Sequence, residues 1–268
     1  MLEVKEVSYE INGRYILKNI SVSVKKGQFL AIVGANGAGK STLLRLLNAE
    51  NKPSNGVITL DGKPLQEFDT LILAQRRATL AQSYNVNLAF TVTEMVMMGR
   101  YPHLHRQKAE VDQKIIAETM QLCGISDFAD RSFLELSGGE QQRVQLARIL
   151  TQIWDQPNAI LFLDEPVTGL DMHYQQYTLA IAKALCKRGT TVISVLHDLN
   201  LVAEYADRVL MLKNGRRWKY GTPVEVLNTE DIYQVFGVET EIHLNPKTLS
   251  PLVINKPIKI NHLTLANF

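Results

Sequence analysis

Nine consecutive residues constrain this chain more than any others. Gly34, Ala35, Asn36, Gly37, Ala38, Gly39, Lys40, Ser41 and Thr42 form a G-x-x-x-x-G-K-[ST] run. An apolar stretch, Phe29 to Val33, precedes it, and Leu43, Leu44, Leu46 and Leu47 follow. Apolar strand, glycine-rich turn and leucine-rich helix are the context in which such a run wraps a phosphate. Glycines lack a β-carbon, so several backbone N–H groups can point inward. The following helix adds the positive end of its dipole. Lys40 offers a point charge to the β- and γ-phosphates, and the Ser41 hydroxyl offers a ligand to Mg²⁺. The expected ligands are therefore a nucleoside triphosphate and a divalent metal, Mg²⁺.

Bulk properties narrow the setting. With 268 residues, 46% of them hydrophobic and 21% charged, the chain is long enough for one or two domains with a real core. A net charge of +2 is too small to argue for a nucleic-acid partner. Cys123 and Cys186 fit no metal-ligand or C-x-x-C spacing and read as packing residues in a reducing compartment. No leader-like apolar segment opens the chain, and no run approaches the ~18 apolar residues of a membrane span. The expectation is a soluble protein that needs partners to act at a membrane.

Periodicity sketches the organisation. Residues 2–33 read as short strands, with turns at Asn12-Gly13 and Lys26-Gly27. Val57, Ile58 and Leu60 form a strand that turns at Asp61-Gly62, residues 70–77 a helix, and residues 78–82 a strand. From about 92 to 150 helices dominate: one opening at Val92 and closing at Gly99, one over 107–123, one over 138–152. Strands at 159–163, 191–195 and 209–212 then alternate with helices at 174–188 and 198–205. That alternation indicates an α/β fold with a mixed, largely parallel sheet into which the helical stretch is inserted.

Two further motifs carry chemistry. The apolar strand Ile160 to Leu163 ends in Asp164-Glu165, at the carboxyl end of a strand, where α/β sheets bind ligands. Asp164 can hold Mg²⁺ directly or through water, and Glu165 is placed to act as general base on an attacking water. Ser137, Gly138, Gly139 and Glu140 form a capping box, with Ser137 three residues ahead of Glu140. A capped helix opening on two glycines is also an anion site.

Together with a later strand ending in His197-Asp198, these motifs resemble the nucleotide-binding subunit of ABC transporters over roughly residues 1–240. The resemblance implies a P-loop NTPase (RecA-like) core at 1–84 and 155–240, with an N-terminal antiparallel β subdomain. It implies a helical subdomain at about 85–154, leaving a short tail at 241–268. It implies a head-to-tail homodimer sandwiching two ATP molecules, with Ser137, Gly138, Gly139 and Glu140 acting in trans. Gln82 matches the residue that touches Mg²⁺ and the attacking water. Asp171 matches the loop that crosses the dimer interface, and His197 the histidine that contacts the γ-phosphate. Three departures stand out. Ala35 replaces a frequent proline, Gly169 enters the loop before Asp171, and Ile11 stands near the adenine-stacking position, with Tyr9 or Tyr15 as alternative rings.

The stretch Phe90 to His103 contains V-x-E-x-V-x-M-G-R-x-P-H, similar to importers of iron chelates, haem and vitamin B12. This stretch is expected to face a membrane subunit, with His103 and His105 as surface or interface residues. Ser137 and Asp164 lie 27 positions apart, a few more than in the family at large, the extra residues falling in Gln152 to Pro157. In this the chain resembles haemin-import ATPases most. The resemblance implies two transmembrane permease subunits, a periplasmic or surface substrate-binding protein, and a place on the cytoplasmic face of the inner membrane. Siderophore and B12 importers are the alternatives, followed by a soluble ABC ATPase and an exporter subunit.

Overall fold

The computed structural model describes residues 1–81, 89–104 and 108–257. Its first two strands, β1 (Leu2–Ile11) and β2 (Arg14–Val24), are long and pair antiparallel about the Asn12-Gly13 turn. The expected short strands are thus two continuous ones. Register shifts between Val4 and Tyr9 interrupt the alternation without ending the pairing. Then come β3 (Phe29–Gly34), α1 (Lys40–Leu47), β4 (Asn55–Leu60) and the two-residue β5 (Lys63–Pro64). β2, β1, β4 and β5 form one antiparallel sheet in that order.

The chain continues through α2 (Thr70–Arg76) and β6 (Arg77–Leu80). The helical stretch comprises α3 (Val92–Met97), a 3₁₀ run at Met98–His103, α4 (Ala109–Leu122) and α5 (Gly138–Ile153). After it come β7 (Ile160–Asp164), α6 (Met172–Lys187), β8 (Thr191–Val195), α7 (Leu199–Tyr205), β9 (Arg208–Lys213) and β10 (Arg216–Gly221). The second sheet has the order β10-β9-β3-β8-β7-β6, parallel throughout except at β10.

β3, β7 and β8 are buried along their whole length, as strands covered on both faces must be. Their side chains alternate between two cores. Phe29, Ala31, Val33, Leu161 and Leu163 face a core shared with α5, α6 and the helical stretch. Leu30, Ile32, Ile160 and Phe162 face a second core, closed by the antiparallel sheet and by the four leucines of α1. The glycine-rich turn is therefore clamped between a strand packed on both sides and a helix buried between two sheets.

Past β10 come α8 (Pro223–Val226), α9 (Thr229–Phe236) and a hairpin of β11 (Thr240–Leu244) and β12 (Pro251–Asn255). The tail expected from residue 241 is thus ordered at its start. Asn200 docks it by acting as a strand edge, its amide donating to Val253 O at 3.1 Å and accepting from Val253 N at 2.7 Å. Among the described residues no helix is long and apolar enough to cross a membrane.

Candidate functional site

Adjacent parallel strands β3, β7 and β8 deliver Gly34, Asp164-Glu165 and Leu196-His197 to one edge of the sheet. There they border an open cleft of about 810 Å³, lined among others by Gly37, Lys40, Ser41, Thr42, Glu165 and His197. Gly34 needs its hydrogen side chain, because at φ 153° a β-carbon would lie 2.4 Å from the Leu212 carbonyl. Gly37 and Gly39 adopt φ 77° and 96°, a left-handed backbone that glycine takes without strain.

Lys40 is almost buried and donates to the carbonyls of Gly34 at 2.9 Å and Ala35 at 3.1 Å. Burial pushes its ammonium down, against the opposing pull of Glu165 and Asp164. An anion in the loop would supply the counter-charge that two neutral carbonyls lack. The Ser41 hydroxyl donates to Asp164 Oδ1 at 3.1 Å. Burial holds the Asp164 carboxyl above its ordinary range; the Ser41 hydrogen bond opposes this and the neighbouring Glu165 charge adds to it. A hydroxyl and a carboxylate in contact, with a second carboxylate beside them, are a hard oxygen donor set. Together with phosphate oxygens it fits Mg²⁺.

Glu165 has φ 52°, unusual for a residue with a side chain. Its Oε1 lies 2.6 Å from His197 Nε2, and Thr168 Oγ1 is 3.4 Å from its Oε2. Burial raises the Glu165 carboxyl, but the His197 hydrogen bond and charge, Thr168 and Lys40 outweigh it and leave the group below its ordinary range. An ionised carboxylate only accepts, so His197 Nε2 is the donor. Glu165 and His197 therefore form one unit across the ends of β7 and β8. Asp198 caps α7 by accepting from the backbone N–H of Asn200 and Leu201.

At the start of α5, Ser137 accepts from Glu140 N, and Ser137 N donates to Glu140 Oε2 at 2.8 Å. The Ser137 hydroxyl, donating to the same carboxylate, holds Glu140 below the ordinary range. A β-carbon on Gly138 would meet nothing within 4 Å, so its backbone is open to an approaching group. Asp171 caps α6 by accepting from Tyr174 N at 2.9 Å, and Gly169 takes φ 78° in the turn before it. Gln82 and His105 lie outside the described residues. Tyr9 packs against the second core, Tyr15 is exposed, and Ile16 lines the cleft.

His103 corrects an expectation. It is buried, 2% exposed, and its Nε2 lies 2.8 Å from the Gln152 carbonyl, so it is neither a surface nor an interface residue here. Two residues carried no sequence signal. Thr168 reaches Glu165 through a turn whose shape no motif encodes. Gln145, 2% exposed, has both amide atoms without a partner among the described residues and borders a cavity of about 210 Å³ shared with Glu165 and Thr168. Cys123 and Cys186 are buried free thiols, each pushed up to about 12 by burial, as packing residues should be.

The chain is similar to known ABC transporter proteins. The ABC transporter family model matches residues 17–168. The hemin import ATP-binding protein HmuV of Gloeobacter violaceus is 43% identical over 95% of this chain and 94% of its own length. HmuV of Pseudomonas aeruginosa is 42% identical over 95% of this chain and 99% of its own. Among solved structures, cbiO1 from Clostridium perfringens, part of the ABC transporter complex cbiONQ, superposes with a TM-score of 0.72. It is 30% identical and is matched over 87% of this chain and 92% of that one. The ATP-binding cassette MJ0796, in a dimeric post-hydrolysis state bound to ADP and Pi, gives a TM-score of 0.72 at 27% identity. The match covers 83% of this chain and 99% of that one.

Proposed function

The chain belongs to the ABC transporter ATP-binding family, and from that premise we propose that it is the ATP-hydrolysing subunit of a haemin importer. The observation that carries this reading is the cleft in which Lys40, Ser41, Glu165 and His197 converge, in a chain similar along its whole length to hemin import ATP-binding proteins. Lys40 leaves the carbonyls of Gly34 and Ala35 for the phosphate oxygens of ATP, a gain because those oxygens carry full charge. Residues Gly34 to Thr42 cradle the phosphates with backbone N–H groups. Ser41, Asp164 and Gln82 would hold Mg²⁺, which would neutralise phosphate charge when bound. Glu165, a carboxylate ionised at neutral pH, orients and deprotonates the attacking water. His197 releases Glu165 and turns its Nε2–H toward the γ-phosphate.

Such a site is half complete in one copy. In the proposed homodimer, Ser137, Gly138 and Gly139 of the second copy present the positive start of α5 to the γ-phosphate, with Glu140 fixing Ser137. Asp171 lies on the loop that meets the partner. Two transmembrane permease subunits and a periplasmic or surface binding protein complete the importer. The chain then sits as a peripheral subunit on the cytoplasmic face of the inner membrane and has no nucleic-acid partner. Residues 1–240 act as the ATPase unit, core plus helical subdomain, with the tail beyond.

Deleting the gene tests the substrate. The expected result is loss of growth on haemin as sole iron source, restored by the wild-type gene. Intact haemin use with loss of siderophore or cobalamin uptake would assign the chain to one of those importers instead.

A further inference from the structure

Two sequence features that the catalytic cleft does not use are brought into contact by the fold. One is the Met98–His103 run, the other the Gln152–Pro157 insertion. An α-helix leaves its last four carbonyls without intrahelical partners. In α5 these belong to Leu150, Thr151, Gln152 and Ile153, and the last turn of α5 contains no basic residue of its own. The other stretch supplies it. Arg100 Nη1 donates to Thr151 O at 2.8 Å, and His103 Nε2 donates to Gln152 O at 2.8 Å. Arg100 is 2% exposed and also binds Asp112 of α4 at 2.8 Å through Nε and Asp155 at 3.1 and 3.3 Å through its fork. A cation at a helix C-terminus is where the dipole favours it.

Backbone fit reinforces the contact. A β-carbon on Gly99 would lie 2.1 Å from Arg148 O, so only glycine lets this run seat on α5. Gln75 of α2 donates to Pro102 O at 2.6 Å, and Gln152 donates to Ala74 O and Arg77 O, which closes the set. Trp154, inside the insertion, donates to Glu118 of α4 at 2.7 Å. On the outer side, Tyr101 and Leu104 remain more than half exposed.

We propose that Gly99, Arg100 and His103 are positioning residues that cap α5 and make the Tyr101–Leu104 surface one rigid body with the start of α5 at Ser137 to Gly139. The two ends lie about 24 Å apart along a 16-residue helix. The proposal rests on the proposed role of that start as a phosphate contact. A displacement of α5 on ATP binding then appears at the Tyr101–Leu104 surface without any intervening hinge, and the insertion exists to supply Gln152 and Asp155 to the joint.

Hydrogen exchange on the full chain tests this in a Glu165→Gln background, which lacks the proposed base and retains ATP. In that parent, MgATP is expected to slow exchange both at 138–141 and at 98–104. Adding Asp155→Asn, or separately Arg100→Lys, is expected to preserve the ATP effect at 138–141 and cut it at least threefold at 98–104. In the Glu165 chain the same two substitutions are expected to leave basal ATPase within twofold, since neither residue touches the cleft. An undiminished ATP effect at 98–104, or equal loss at both ends, overturns the proposal. No ATP effect at 138–141 in the parent overturns the phosphate-facing role of α5 and the proposal with it.

Discussion

At the scale of single residues, the charged groups of the cleft are held by near neighbours. Lys40 rests on two neutral carbonyls, and the Glu165 carboxylate is held by His197. Gln145, outside that cleft, differs: among the described residues both ends of its buried amide lack a partner. A buried amide without hydrogen bonds costs about 1–3 kcal/mol. Gln145→Met keeps the volume and removes that cost, so it is predicted to raise the unfolding free energy of the nucleotide-free chain by about 1 kcal/mol. Urea denaturation measures this, and a destabilised variant would show that the amide is satisfied in solution. Lys40, Ser41, Asp164 and Glu165 were legible in sequence because phosphate chemistry fixes their spacing. Gln145 and His103 were not. A polar residue on an apolar helix face reads alike whether it is solvated, capping a distant carbonyl or unpaired.

At the scale of elements, one carboxylate joins four segments of the β-rich half. Asp61, in the β4–β5 turn, binds the N-terminal amine, Lys26 before β3 and Arg76 of α2. Burial tends to raise its carboxyl, but hydrogen bonds from those three cations outweigh it and hold the group far below the usual carboxylate range. A depressed folded value means that the group stabilises the fold above its unfolded value, about 3.9, and that the effect fades as pH falls below it. Asp61→Asn is predicted to cost less than about 1 kcal/mol at pH 7, as expected of a solvent-screened cluster. The gap from wild type should narrow at pH 3.5, with urea midpoints as the readout; a gap that widens at acid pH would contradict the assignment. Elements with strong periodicity, such as α5 and β7, could be read in advance. β10, α8, α9 and the terminal hairpin could not. Their strands are half exposed, and the hairpin is docked by Asn200, a contact 53 residues distant in sequence.

At the scale of the whole molecule, the parallel sheet and the inserted helices follow from order alone, whereas the antiparallel sheet around α1 was expected only from the family resemblance. Apolar strands buried on both faces alternate with helices, and one stretch lacks strands. The proposed division of one active site between two copies is not a property that a single fold displays. The start of α5 is capped, open and positive, and it borders a cavity that also touches Glu165, yet it does not line the cleft of its own Lys40. The measurement that tests the account most directly is ATPase rate per mole of chain as a function of protein concentration, at saturating MgATP. The account predicts specific activity that rises with concentration and levels off as dimers form, while ATP binding per chain stays constant. A specific activity that is already maximal in dilute monomer, and flat across the range, would contradict it.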